Sequence, residues 1–211
     1  MCFSKEVSAT TFLLGMAGSL YIYFGMGSPS DKIIGAFLAF VSLMQGIEYL
    51  LWDHQLCDRY HKIVSYAGMW LNHMQPIILG VLMLLFGRAE YRNWIWAIMI
   101  GYTLVFVPYS LQYDNIGEMR CSVPRKENPH LVWNWNSLPF STTVYAIFLA
   151  TFVALFMLGL KNGLFASFIA VASFLISIIV YPRESYGAMW CFFTAFIPIG
   201  YIVGLNKYLI Q

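Results

Sequence analysis

Seven stretches of about twenty mainly apolar residues divide this chain, and each is long enough to cross a hydrocarbon core about 30 Å thick as a helix. They run 8–26, 33–52, 63–86, 94–112, 140–160, 164–180 and 189–205. Turn residues and charges separate them: Gly27, Pro29, Asp31 and Lys32 after the first, Gly87, Arg88 and Glu90 after the third, Lys161, Asn162 and Gly163 after the fifth. Charged residues make up only 10% of the 211 positions. A soluble domain carries about 25%, so this chain cannot dress a water-facing surface. Aromatics at 18% exclude disorder. No strict alternation supports a β-barrel. The expectation is an all-α polytopic membrane protein of seven transmembrane helices in a single domain, 1–211, with the lipid bilayer as solvent. The first span has an apolar run longer than a signal-peptide core and no small-residue cleavage site after it, so it is read as retained.

A formal charge of +2 with scattered basic residues excludes a nucleic-acid partner. The side of the N-terminus holds seven basic residues: Lys5, Arg59, Lys62, Arg120, Arg125, Lys126 and Arg183. The other side holds five: Lys32, Arg88, Arg92, Lys161 and Lys207. The bias is small, and acids offset it on the N-terminal side, which leans the reading to an outside N-terminus and a cytoplasmic C-terminus. All four cysteines, Cys2, Cys57, Cys121 and Cys191, fall toward that same side. On an oxidising face Cys57 and Cys121 could close a disulfide between two loops; two free thiols are the alternative.

Two hexapeptides nearly repeat. Ser65, Tyr66, Ala67, Gly68, Met69 and Trp70 open the third span, and Ser185, Tyr186, Gly187, Ala188, Met189 and Trp190 open the seventh. A proline follows in each, Pro76 and Pro198. This is the pattern of two parallel three-helix repeats, 8–86 and 140–205, joined by a linker helix, 94–112. In arrangement and size the chain resembles SWEET and PQ-loop proteins, though Gln75-Pro76 reverses their Pro-Gln signature. Coincidence of common interfacial residues is the alternative. Ala166, Ala170, Ser173 and Ser177 form a small-residue strip for close helix packing. Trp52, Trp94, Trp96, Tyr181 and Trp190 read as an interfacial belt.

Ionisable groups within a bilayer are costly and usually face the bundle interior. The seven spans hold one such carboxylate, Glu48, and one imidazole, His73. Antiparallel pairing of spans 2 and 3 places them about one turn apart in depth. Cys2, at the same end, could fold into the bundle mouth. Thiolate, carboxylate and imidazole suit one transition-metal ion, zinc or copper. The metal ligands would be Cys2, Glu48 and His73, with Gln45, Asn72, Met69 and Gln75 orienting or supplementing them. The alternatives are separate packing roles for each, or a proton or substrate pathway without metal. Pro76, Pro108 and Pro198 each remove a backbone donor inside a span. His54, His61 and His130 lie in loops and read as solvated. The long loop 113–139 carries Trp133, Asn134, Trp135 and Asn136, a strand-like or turn segment that is either an interfacial anchor, the preferred reading, or a lid.

The opening Met1, Cys2, Phe3 and Ser4, with Gln45, Glu48 and Trp52 on span 2 and Gln75-Pro76 on span 3, resembles an uncharacterised family of polytopic membrane proteins that begin with the same four residues. The resemblance spans roughly the first 80 residues. It implies a helical membrane fold and no established activity, and it groups Cys2 with the polar face of span 2. Span 7 lacks a mid-membrane lysine, so retinal is not expected as a cofactor. No nucleophile-elbow motif is present. Two functional readings lead: a metal-binding membrane protein, and a SWEET-like carrier of a small solute or of protons with a cavity between its halves. A metal-dependent intramembrane enzyme and a purely structural, partner-binding membrane protein are the others. Assembly into an oligomer is compatible with each.

Overall fold

The computed structural model describes residues 4–115, 121–125, 129–160, 163–182 and 184–205. Seven helical spans emerge among them: Lys5–Met26, Pro29–Asp53, Arg59–Phe86, Ala89–Asn115, Ser141–Gly159, Gly163–Val180 and Tyr186–Gly204. The chain is an integral membrane protein with an all-α, seven-helix fold. The first four apolar stretches read from sequence each grow by a few residues, because polar caps and interfacial residues continue the helices beyond the apolar run, whereas the fifth is a residue shorter at each end. Ser4 caps α1 (Lys5–Tyr21), which ends in a wider turn over Ile22–Met26. Ser28 and Asp31 form a reciprocal capping box with Pro29 in the first turn of α2 (Pro29–Asp53). Asp58 caps α3 (Arg59–Phe86). Next come α4 (Arg92–Leu111), α5 (Ser141–Gly159) and α6 (Gly163–Val180). The seventh span is broken: α7 (Tyr186–Thr194) stops, two residues turn, and α8 (Ile197–Gly200) restarts with Pro198 in its first turn. Pro76 and Pro108 lie within continuous helices instead.

Consecutive helices pack side by side, and the seventh span closes back onto α1 and α2. The tightest contact is α1 on α2. Ser8, Thr11, Gly15 and Ser19 make the buried face of α1, a small-residue stripe that lets two backbones approach. A methyl group on Gly35 would sit 2.6 Å from the Tyr23 nitrogen and 2.8 Å from the Ser19 carbonyl oxygen. The strip on α6 has a different use: Ser173 Oγ accepts from Trp190 Nε1 at 2.9 Å. Trp190 is therefore buried and leaves the expected interfacial belt, whereas Trp94 and Trp96 remain exposed at 66% and 49%. On the far side from the N-terminus, buried Asp31 accepts from Tyr201 OH at 2.7 Å and so pins the end of the seventh span to the start of α2.

Candidate functional site

The end of the bundle that carries the start of α1 is closed by the loop between α4 and α5. Its segment 131–138 dips into the mouth, with Leu131, Val132, Trp133, Trp135 and Asn136 all buried. The tandem of Trp and Asn is a short helical turn, Asn134–Ser137, rather than a strand. Trp133 and Trp135 stack with ring centroids 4.8 Å apart. This burial overturns the interfacial-anchor reading: the segment is a plug. The second of the near-repeated hexapeptides explains part of the fit. A methyl group on Gly187 would lie 2.9 Å from the Trp133 ring, so this glycine clears a seat for Trp133. At Gly68 a methyl group would instead meet Ile47 of α2 at 2.9 Å, with the Trp135 ring at an ordinary contact distance of 3.5 Å.

The plug is also tied from outside. A disulfide joins Cys57 to Cys121, whose Cα atoms lie 5.6 Å apart. Asn134 Nδ2 donates to the Cys121 carbonyl at 2.7 Å, and the Trp133 amide donates to the Glu184 carbonyl at 2.9 Å. Ser122 N donates to Ser65 Oγ at 3.2 Å. His61 is fully buried, a correction to its reading as a solvated loop residue. Its ring sits between the carbonyls of His54 and Ser122 and so bridges the α2–α3 loop to the strap around Cys121. At the cap of α3, the His61 amide and then the His54 ring hold the Asp58 carboxyl below its usual range. The cap therefore keeps its charge to a lower pH than a free aspartate would, and loses it on further acidification.

Beneath the plug lie two polar clusters on different faces of α3. In the first, Thr11 Oγ1 donates to Gln45 Oε1 at 2.7 Å, and Gln45 Nε2 donates to Glu48 Oε2 at 2.8 Å. Cys191 of α7 lies beside Glu48 and Gln75. All of Gln45, Glu48, Gln75 and Cys191 are buried, and Gln45 and Glu48 share a face because they are three residues apart. In the second cluster, His73 Nδ1 meets Ser110 Oγ at 2.8 Å, and its ring faces Tyr109 and Tyr145. Asn72 Nδ2 donates to Tyr145 OH at 2.9 Å, and Tyr145 OH donates to Asn136 Oδ1 at 2.7 Å. In the turn before Pro76, the His73 carbonyl accepts from Tyr102 OH at 2.9 Å. The carbonyl that Pro76 leaves without its helical donor is that of Asn72, one residue before the one that Tyr102 reaches.

The expected meeting of Glu48 with His73 is thus not what the helices make. Glu48 looks toward α1 and α7, and His73 toward α4 and α5. Cys2, the third expected ligand, lies outside the described residues. Among the described residues no three His, Cys, Asp or Glu side chains form a group able to hold a metal. Of the supporting set, Gln45 stays with Glu48, Asn72 stays near His73, Gln75 turns to Cys191, and Met69 is a buried apolar contact in the packing around the plug. Thr11, Ser110, Asn136, Tyr145 and Cys191 were not legible as site residues. Each is a common residue type in a membrane helix or loop, and nothing in its spacing announces a partner on another helix.

Four buried nitrogens around the plug have no hydrogen-bond partner among the described residues: His73 Nε2, Trp133 Nε1, Trp135 Nε1 and Asn136 Nδ2. The Asn136 orientation follows from Tyr145 donating to its oxygen, which turns its amide donor away. The Trp135 indole comes close to the Tyr145 hydroxyl without closing a bond of its own. Indole and amide nitrogens are donors only, so the cluster is short of acceptors. A separate cavity of about 90 Å³ opens on the other side of the bundle, between α2 and the α5, α6 and α7 helices. No protein-family model, curated protein or solved structure matches the chain.

Proposed function

We propose that the chain is a membrane carrier of a small, acceptor-bearing solute, with the polar cluster beneath the Trp133–Trp135 plug as its binding region. The observation that carries the reading is the pair of unmet donors on Trp135 and Asn136 deep in the closed mouth, beside a His73 ring nitrogen that also lacks a partner. A buried donor left unmet costs about 1–3 kcal/mol, and such groups in a membrane mark ligand or ion pathways. The break at 195–196 in the seventh span and the proline within α3 give the two halves places to move. The metal-binding reading, with copper or zinc on Cys2, Glu48 and His73, has less support, because Glu48 and His73 face different neighbours.

Proteoliposomes carrying the purified chain test this. Followed by light scattering against gradients of glycerol, urea, glucose and glycine, at least one of these solutes is expected to enter faster than in protein-free vesicles. His73→Gln is expected to slow that entry. No solute entering faster, together with a stoichiometric transition metal by elemental analysis, would overturn the carrier reading in favour of the metal one.

The plug side faces the oxidising compartment in this proposal, with the N-terminus outside and the C-terminus in the cytoplasm. The support is the Cys57–Cys121 disulfide, since such bonds persist in oxidising surroundings. In intact cells, a membrane-impermeant reductant followed by an impermeant maleimide is expected to label Cys57 and Cys121. Labelling only after the cells are broken reverses the orientation.

A further inference from the structure

The cavity on the far side is distinct from the plug cluster and has its own chemistry. Ile34, Phe37, Leu38 and Val41 of α2 form one wall, and residues of α5, α6 and the seventh span form the rest. It exists because α2 packs on α1, α3 and α7 and scarcely touches α5 or α6. Nearly every polar side chain in its wall is already used. Ser173 pairs with Trp190, Thr194 Oγ1 donates to the Cys191 carbonyl, and Tyr201 donates to Asp31. The exception among hydrogen-bonding nitrogens and oxygens is Gln75. Its side chain is 2% exposed, it lines the cavity, and its Nε2 closes no hydrogen bond of normal geometry, its one polar neighbour being the Cys191 sulfur, a weak acceptor.

From this we infer that the cavity is a binding site for a lipid-soluble molecule with an apolar body and one carbonyl-type acceptor, received by the Gln75 amide beside Cys191. Water is a poor occupant, because an ordered buried water needs two to four polar partners and the surface this wall turns to the cavity is almost wholly apolar. Depth separates the occupant from ordinary bilayer lipid. Gln75 lies about 16 Å from the Phe86 end of α3 at 1.5 Å per residue, near the middle of a 30 Å core. Phospholipid ester carbonyls sit at the interface and do not reach that level. The volume of about 90 Å³ is below that of the apolar cavity of about 150 Å³ that admits benzene. It admits a narrow head and the carbons next to it, the rest of the chain lying outside the cavity, and excludes a fused ring system.

The test uses the full chain in phosphatidylcholine nanodiscs and three photoreactive probes with a mid-chain diazirine: a long-chain methyl ketone, the matching hydrocarbon, and a phosphatidylcholine bearing the same chain. Crosslinked peptides are mapped by mass spectrometry. The ketone is expected to label the wall residues around Phe156 and Ile169 saturably, with competition by unlabelled ketone. The hydrocarbon and the phospholipid are expected to label the outer surface without saturation. Gln75→Leu is expected to weaken ketone labelling about tenfold, the loss of one buried hydrogen bond. Ala170→Phe, which fills the cavity without touching Gln75, is expected to abolish it. Saturable labelling unchanged in Gln75→Leu overturns the role of the amide. Saturable labelling of the wall by the phospholipid makes the cavity a seat for bilayer chains and overturns the ligand class. No saturable labelling by any probe removes the site. None of these outcomes depends on solute entry into proteoliposomes, so the carrier reading stands or falls separately.

Discussion

Trp135→Ala is expected to cost about 3–5 kcal/mol of stability, the range for removing a large buried aromatic from a packed core. Trp135 is fully buried. It stacks on Trp133 and meets the edge of Tyr113 with ring centroids 6.1 Å apart. Its ring also packs beside Gly68 of α3. Its carbonyl accepts from Tyr109 OH, so the backbone of the plug is held even as the side chain goes. Titration with a denaturing detergent, followed by helical circular dichroism, gives the global loss. A red shift of the emission of the other tryptophans reports whether the plug lifts. Trp94→Ala is the control: Trp94 is 66% exposed, and a surface change of that kind is expected to stay within about 0.5 kcal/mol. A loss below about 1 kcal/mol for Trp135→Ala would mean that the segment is laid on the bundle rather than packed into it.

Two glycine substitutions are expected to move stability in opposite directions. Gly35→Ala places a methyl group against backbone atoms of Tyr23 and Ser19. Neither can swing aside as a side-chain tip would, so α1 and α2 must part along their closest contact. The expected loss is about 3 kcal/mol, the upper part of the overpacking range. Gly101, inside α4, has nothing within 4 Å of the same position. Gly101→Ala is expected to stabilise by about 0.5–1 kcal/mol, because alanine spares the helix the backbone entropy that glycine costs. The pair is measured by the same detergent titration. A Gly35→Ala variant as stable as the parent would show that the α1–α2 approach is looser than the backbone distances require.

The seven spans were readable because the period and length of an apolar helix are local properties of the chain. Pro29, Ser28 and Asp58 mark helix starts by their own chemistry. The importance of Glu48 and His73 as buried polar groups was readable for the same reason, since each stands alone in an apolar run. What each faces was not. Two side chains at similar depth on neighbouring helices can point together or apart, and the rotation of each helix about its axis decides which. The stripe of Ser8, Thr11, Gly15 and Ser19 sets that rotation for α1 and α2, yet the polar strip on α6 was the one that stood out.

The plug shows the same division. Trp133 and Trp135 suit an interface as well as a core, and it is their packing beside Gly68 of α3 and in the seat that Gly187 of α7 leaves that draws them inward. Those two glycines are more than a hundred residues apart in the chain. Sequence alone determined that this protein lives in a bilayer, that it crosses it in seven apolar stretches and which few polar groups it carries there, since each of these follows from a residue and its near neighbours. Tertiary structure decided that Glu48 and His73 part company, that the tryptophans are buried and that Gln75 faces an apolar cavity. Those outcomes depend on helix rotation and close approach, which are settled by packing between distant segments.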